Sequence, residues 1–192
     1  MRTTRIALAA PLLALFVLAL APSSAEAQRR PLYAGFGIGG TAYWGDRYVA
    51  DCCDVHFRAQ GEFGWHPSGD DSGFFLAGEA IITGGRHYFT FMPGLRLGGD
   101  IPVHRTRDVT VFLRPSGLIG GGFWDHQNDG WGLVGFFVLQ PAFDIRLALA
   151  DHLIQLWARP VAFDLMFFPE WYDDRFYFSA AYVFQVGLDF AF

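Results

Sequence analysis

Three short clusters in this sequence bring together the side chains that metal and acid–base chemistry require. Asp51-Cys52-Cys53-Asp54, followed by His56, offers thiols, carboxylates and an imidazole, the donor types of a zinc centre. Cys52 and Cys53 are the only cysteines in the chain, and the chain carries an export signal. In an oxidising compartment a strained vicinal disulfide, or a bond to another chain, is the better reading than a metal site. Asp125, His126 and Asp129 form a second cluster and Glu170, Asp173 and Asp174 a third. Both hold candidate general acids and bases, and both read equally as solvated loop charge. No Ser/His/acid motif of a lipase, deacylase or protease accompanies them. The sequence calls for no catalytic residue, cofactor or metal.

Other charges are dispersed: Arg58, Glu62, Glu79, Arg96, Arg114, Asp144, Arg146, Arg159 and Asp189 lie singly among apolar and small residues. What each does depends on the element that carries it. The last eleven residues define that element. Tyr182, Phe184, Val186, Leu188, Phe190 and Phe192 alternate with Val183, Gln185, Gly187, Asp189 and Ala191. This is the period-two pattern of a strand with one bulky apolar face, and it runs to a terminal Phe.

The same alternation predicts eight strands: Leu32 to Trp44, Asp54 to Trp65, Phe74 to Thr83, Tyr88 to Gly98, Val109 to Trp124, Leu133 to Leu149, Leu153 to Phe167 and Phe176 to Phe192. In each, one phase is bulky and almost free of charge, with Asp164 the single misfit. The other phase is small or polar and carries the dispersed charges. Ahead of the strands, Arg2 and Arg5 precede an apolar run from Ile6 to Ala21, and then comes the small-x-small site Ala25-Glu26-Ala27. Residues 1–27 read as a secretory signal peptide and 28–192 as one domain. The run is broken by Pro11 and falls short of the roughly 20 residues of a membrane helix.

Composition agrees with a chain made for lipid. Residues are 52% hydrophobic and only 17% charged, and every one of the 14 basic residues is Arg. No basic patch points to nucleic acid. Beyond residue 27 no apolar stretch is long enough for a helical span. A non-helical chain that crosses a membrane must close its backbone hydrogen bonds within itself, as a barrel.

The alternating C-terminal strand ending in Phe resembles the C-terminal signature of bacterial outer-membrane β-barrels, and the whole chain is similar in architecture to the small barrels of the OmpA and OmpX kind. The resemblance implies an all-β fold, an eight-stranded antiparallel up-and-down transmembrane barrel integral to the bacterial outer membrane. It also implies that Tyr182, Phe184, Val186, Leu188, Phe190 and Phe192 are read by the barrel assembly machinery. Outer-membrane lipids and lipopolysaccharide would be the other partners. With both termini periplasmic, turns fall at His66–Gly73, Gly99–Asp108 and Ala150–His152. Outer loops fall at Gly45–Cys53, Gly84–His87, Asp125–Gly132 and Phe168–Arg175. Trp44, Trp65, Tyr88, Trp131, Trp171 and Tyr172 fall near strand ends, where aromatic girdles sit. A soluble lipocalin-type barrel has the same alternation, but the less apolar face here would be a poor surface for water.

An eight-stranded lumen admits only its own side chains or one small ligand. Enclosed charges must be paired and hydrogen-bonded, so the five Arg and four carboxylates listed above predict a salt-bridged plug rather than a pore. Above them Leu118, Trp124, Phe136, Val138, Val161, Phe163 and Leu165 predict an apolar upper lumen, with Gly120 and Gly122 leaving room for a packed core or an acyl-chain pocket. Pro93, Pro115, Pro141 and Pro160 fall on the lipid-facing phase of four consecutive strands and read as bulges, or as a weakened seam. Two functions follow as expectations. One is a non-enzymatic envelope protein serving membrane integrity or surface interaction. The alternative is a lipid-handling barrel, an acyl-chain binder or lipid-modifying enzyme.

Overall fold

The computed structural model describes residues 30–44, 55–68, 72–85, 88–126, 133–169 and 176–192. Residues 1–27, expected to be a signal peptide, lie outside the described residues, as do Cys52, Cys53, most of the expected outer-loop acids, Trp131, Trp171 and Tyr172. Eight strands are formed: β1 (Leu32–Trp44), β2 (Val55–Trp65), β3 (Gly73–Gly84), β4 (Tyr88–Arg105), β5 (Val109–His126), β6 (Leu133–Leu149), β7 (Ile154–Pro169) and β8 (Phe176–Ala191). Each pairs antiparallel with its sequence neighbours, and β1 pairs with β8, which closes the barrel. No strand is left with an open edge along its membrane-crossing length, which is the condition for strands in lipid.

The two phases separate cleanly. Phe36, Phe57, Leu95, Ile119, Phe137 and Val186 are each more than half exposed, whereas Arg58, Arg96, Arg114, Arg146 and Arg159 are 0% exposed. An outer wall of bare aromatic and aliphatic side chains around an interior of guanidiniums is inside out for water. It suits hydrocarbon, and it excludes the lipocalin arrangement.

β5 runs to His126, so Asp125 and His126, expected in an outer loop, belong to the strand, and two strands differ more from the sequence expectation. β4 does not end at Gly98 but continues to Arg105, because Ile101 and Val103 sustain its apolar outer phase; this brings Asp100 into the lumen. β7 changes phase partway along. Its pairing with β8 slips by one residue between Arg159 and Ala162, so that Gln155, Trp157 and Arg159 point inward before the bulge, and Ala162, Asp164, Met166 and Phe168 after it. Phe168, expected in a loop, belongs to this strand.

All four prolines face outward, and pairing lapses beside each. The β4–β5 ladder is interrupted at Met92–Pro93, and again at Gly99–Asp100 opposite Pro115. The β6–β7 ladder lapses at Gln140–Pro141 and the β7–β8 ladder at Pro160–Val161. A missing N–H accounts for each interruption. Only Pro160 makes the expected bulge; at the other three the register resumes unchanged. A second bulge lies at Pro102–His104. The Pro160 carbonyl accepts a hydrogen bond from the Tyr182 hydroxyl on β8, so a backbone acceptor released by the bulge is satisfied on the lipid-facing wall.

The terminal residue completes the closure. The Phe192 amide donates to the Leu32 carbonyl at 2.8 Å and the Leu32 amide donates back at 3.3 Å, while the Phe192 ring lies 6.3 Å from that of Phe63 on β2. Deleting Phe192 removes both bonds and the ring contact. The variant is expected to be exported but to yield much less of the compact, heat-modifiable form on gels than the wild type. Wild-type amounts of that form would show that closure does not need the residue.

Candidate functional site

The lumen is where the chemistry-bearing side chains meet. At the end where β1 begins and β8 finishes, Arg114 of β5 donates to both oxygens of Asp100 and to the Tyr33 hydroxyl at 3.1 Å. Its guanidinium lies 4.0 Å from the centroid of the Phe75 ring, a buried cation–π contact. His66, just past β2, places Nε2 2.9 Å from Asp100 Oδ2. On the rim below, His152 Nε2 and Thr110 Oγ1 are 2.9 Å apart. Burial first, and then the nearby Arg30 charge, hold the His152 pKa below its ordinary value.

Farther up, Arg146 of β6 donates to Asp189 of β8 and to Glu62 of β2 at 3.1 Å. Arg159 of β7 forks onto the two oxygens of Asp144 at 2.7 and 3.1 Å; it also reaches Gln60 at 3.0 Å and Gln185 at 3.2 Å. Arg96 of β4 forks onto Glu79 of β3 and also donates to Gln140 and to Ser116 at 3.0 Å. Arg58 of β2 crosses the barrel to Asp164 of β7, which also accepts from Gln140. Gln140 thus joins the Arg58 and Arg96 pairs into one network. Bidentate forks of this kind are the geometry for which Arg, and not Lys, is suited.

All nine charges singled out in the sequence face the lumen and are partnered there. Sequence reading missed two further carboxylates. Asp164 seemed misplaced on the lipid face; the Pro160 bulge turns it inward, where it is 0% exposed. Asp100 was assigned to a turn. Proline at position 160 and the continued apolar phase at Ile101 and Val103 were the available signals.

The same bulge overturns half of the expected apolar pocket. Leu118, Phe136 and Val138 point inward, but Val161 and Phe163 are 46% and 37% exposed on the outer wall, and Leu165 shares their phase. Met166 and Phe168 take their place. The upper lumen is a packed cluster of Tyr43, Met92, Leu118, Trp124, Phe136, Val138, Met166 and Phe168. Ring centroids are 5.6 Å apart for Tyr43–Trp124, 5.9 Å for Trp124–Phe168 and 5.3 Å for Phe136–Phe168. Gly120 and Gly122 leave no spare room. A Cβ at Gly120 would lie 2.5 Å from the Pro93 carbonyl oxygen, and one at Gly122 would lie 2.8 Å from the Phe136 ring. These glycines permit close approach of β4 rather than space for a ligand.

Glycine has a second use lower down. The Trp157 ring lies against Gly37 of β1 and Gly187 of β8, where any Cβ would overlap it, and its Nε1 donates to Asp189 at 2.8 Å. Gly187→Val is therefore expected to displace the ring and lower stability by about 1–3 kcal/mol, read from urea unfolding in detergent. Asp164→Ala strands Arg58 in the interior and is expected to cost on the order of 3–5 kcal/mol. A negligible change in that variant would mean that Arg58 finds another partner or water.

No family model matches the sequence, and no curated protein matches it. Among solved structures, the barrel is similar to Neisserial surface protein A (NspA): 10% identity, a TM-score of 0.55, and coverage of 88% of this chain and 100% of that one. It also aligns with Ail, the attachment invasion locus protein of Yersinia pestis, at 9% identity and a TM-score of 0.44, covering 85% of this chain and 99% of that one. At such identities the likeness is one of fold. With its apolar outer wall and closed eight-strand order, the chain has the fold of the small outer-membrane β-barrel proteins.

Proposed function

We propose that this protein is a non-conducting, non-enzymatic barrel of the outer membrane that serves envelope integrity or contact at the cell surface. The observation that carries this reading is the ionic network that crosses the lumen between its Phe192 end and the aromatic cluster. Five guanidiniums and six carboxylates, each at most 5% exposed, bind one another across the interior. A pore needs continuous water and weak, exchangeable sites for its ions. Here the groups that would coordinate an ion already hold one another, four of the five guanidiniums in bidentate pairs. Above the network the aromatic cluster fills the lumen, which removes the space an acyl-chain pocket would use. Residues 1–27 fit this reading as an export signal, and outer-membrane lipids, lipopolysaccharide and the assembly machinery fit it as partners.

Planar-bilayer recordings of the purified barrel should show no sustained conductance at moderate voltages. A stable ohmic channel in most insertions would overturn the plug. Loss of the protein should raise sensitivity to detergent or large antibiotics in the native host, and the wild-type chain should restore resistance. A deletion strain with unchanged envelope and surface properties would remove the proposed role while leaving the plug intact.

A further inference from the structure

The ionic network leaves one level of the lumen unexplained. Thr41 of β1, Thr83 of β3 and Thr90 of β4 are each 0% exposed, and their hydroxyl oxygens have no hydrogen-bond partner among the described residues. Arg58 Nε, equally buried, has none either, although the two terminal nitrogens of that side chain are bound to Asp164. These four atoms are not scattered. Arg58 is the direct cross-strand partner of Thr83, and Thr83 that of Thr90. Thr41 lies diagonally from Arg58, since Gly39 is opposite Arg58 and Thr41 is opposite the next inward position, His56. Direct partners on one face have Cβ atoms about 5 Å apart and diagonal ones about 7–8 Å apart, so the four groups form a continuous polar band over β1 to β4. The neighbouring strand β8 adds small apolar residues: Val183 is the cross-strand partner of Thr41, and Ala181 that of Asp164.

Buried polar atoms in native proteins are satisfied, and where protein supplies no partner, enclosed water commonly does. We propose that Thr41, Thr83, Thr90 and Arg58 Nε form an internal hydration site that holds ordered water beside the Arg58–Asp164 pair. Water suits the atoms present. It accepts from the Arg58 Nε–H and exchanges hydrogen bonds with three hydroxyls, each of which can donate and accept. Ions suit them less. An anion would add to an interior where six carboxylates already face five guanidiniums, and a cation would be placed against Arg58. The band lies beside the apolar cluster: Trp124 is the cross-strand partner of Thr90, and Ile81 and Met92 are the next inward residues on β3 and β4. Bound water there would tie the Arg58–Asp164 pair to β1, β3 and β4. It would also account for three Thr at positions where Val would satisfy the apolar packing alone.

The inference goes beyond the plug and does not depend on its failing to conduct. Two measurements test it. In a high-resolution crystal structure of the full barrel, ordered water should lie within hydrogen-bond distance of at least two of the three hydroxyls. Bromide soaked into the same crystals should give no anomalous peak there. In detergent, Thr83→Val and Thr90→Val keep the side-chain shape but remove a water partner, so each should shift the urea unfolding midpoint downward. If the hydroxyls have no partner, the same changes should shift the midpoint upward, since Val removes an unsatisfied group. A raised or unchanged midpoint, a dry layer in the crystal, or a bromide peak would each overturn the hydration site. If a Val variant fails to refold, the wild-type crystal decides.

Discussion

In hydrocarbon an unpaired backbone N–H or C=O has nothing to bind, and this constraint shapes the whole molecule. It requires β1 to meet β8, which makes the sheet a closed ring of eight. Eight strands enclose a space only as wide as side chains, so the inward phase becomes a sealed interior. A charge placed there has no bulk water to solvate it and must be matched by a charge or donor from another strand. The salt-bridged lumen is thus a consequence of backbone closure and strand number together.

The four prolines show where the constraint is locally relaxed. Each removes a donor, and each lies beside a lapse in the ladder. At Pro160 the chain also bulges, and the Tyr182 hydroxyl takes up the Pro160 carbonyl. The bulge does more than curve the wall. By moving one residue out of phase it carries Asp164 from the lipid face to the lumen, where it neutralises Arg58 and receives Gln140. A backbone irregularity outside and an ion pair inside are two sides of one event. The apparent weak seam between β6, β7 and β8 therefore backs onto the ionic network and not onto an apolar slot.

Packing divides the lumen by height. Near the termini, guanidiniums stack on Tyr33, Phe75 and Trp157, and glycines at positions 37 and 187 let the Trp157 ring lie against the wall. At the far end aromatic rings meet one another without charges between them. Arg side chains serve both zones, since the stem and planar head contact rings while the nitrogens bind carboxylates. A filled lumen turns attention from the interior to the outer loops as the place where any specific contact would be made.

Strand number, inward and outward phase over most of the chain, and the nine charges that meet in the lumen were all legible in the sequence. They follow from period-two alternation, which is a local property: a side chain's face is set by its neighbours along the strand. Phase breaks down where a bulge inserts a residue, and nothing local says which proline will do so. Pro93, Pro115 and Pro141 interrupt pairing without shifting it, whereas Pro160 shifts it. That difference depends on the register of two neighbouring strands and on Tyr182 standing ready across the seam. For the same reason Val161, Phe163 and Leu165 looked inward from the sequence and lie outward in the barrel. Which carboxylate each Arg would take was also beyond the sequence, because the partners come from strands far apart in the chain that only barrel closure brings within reach.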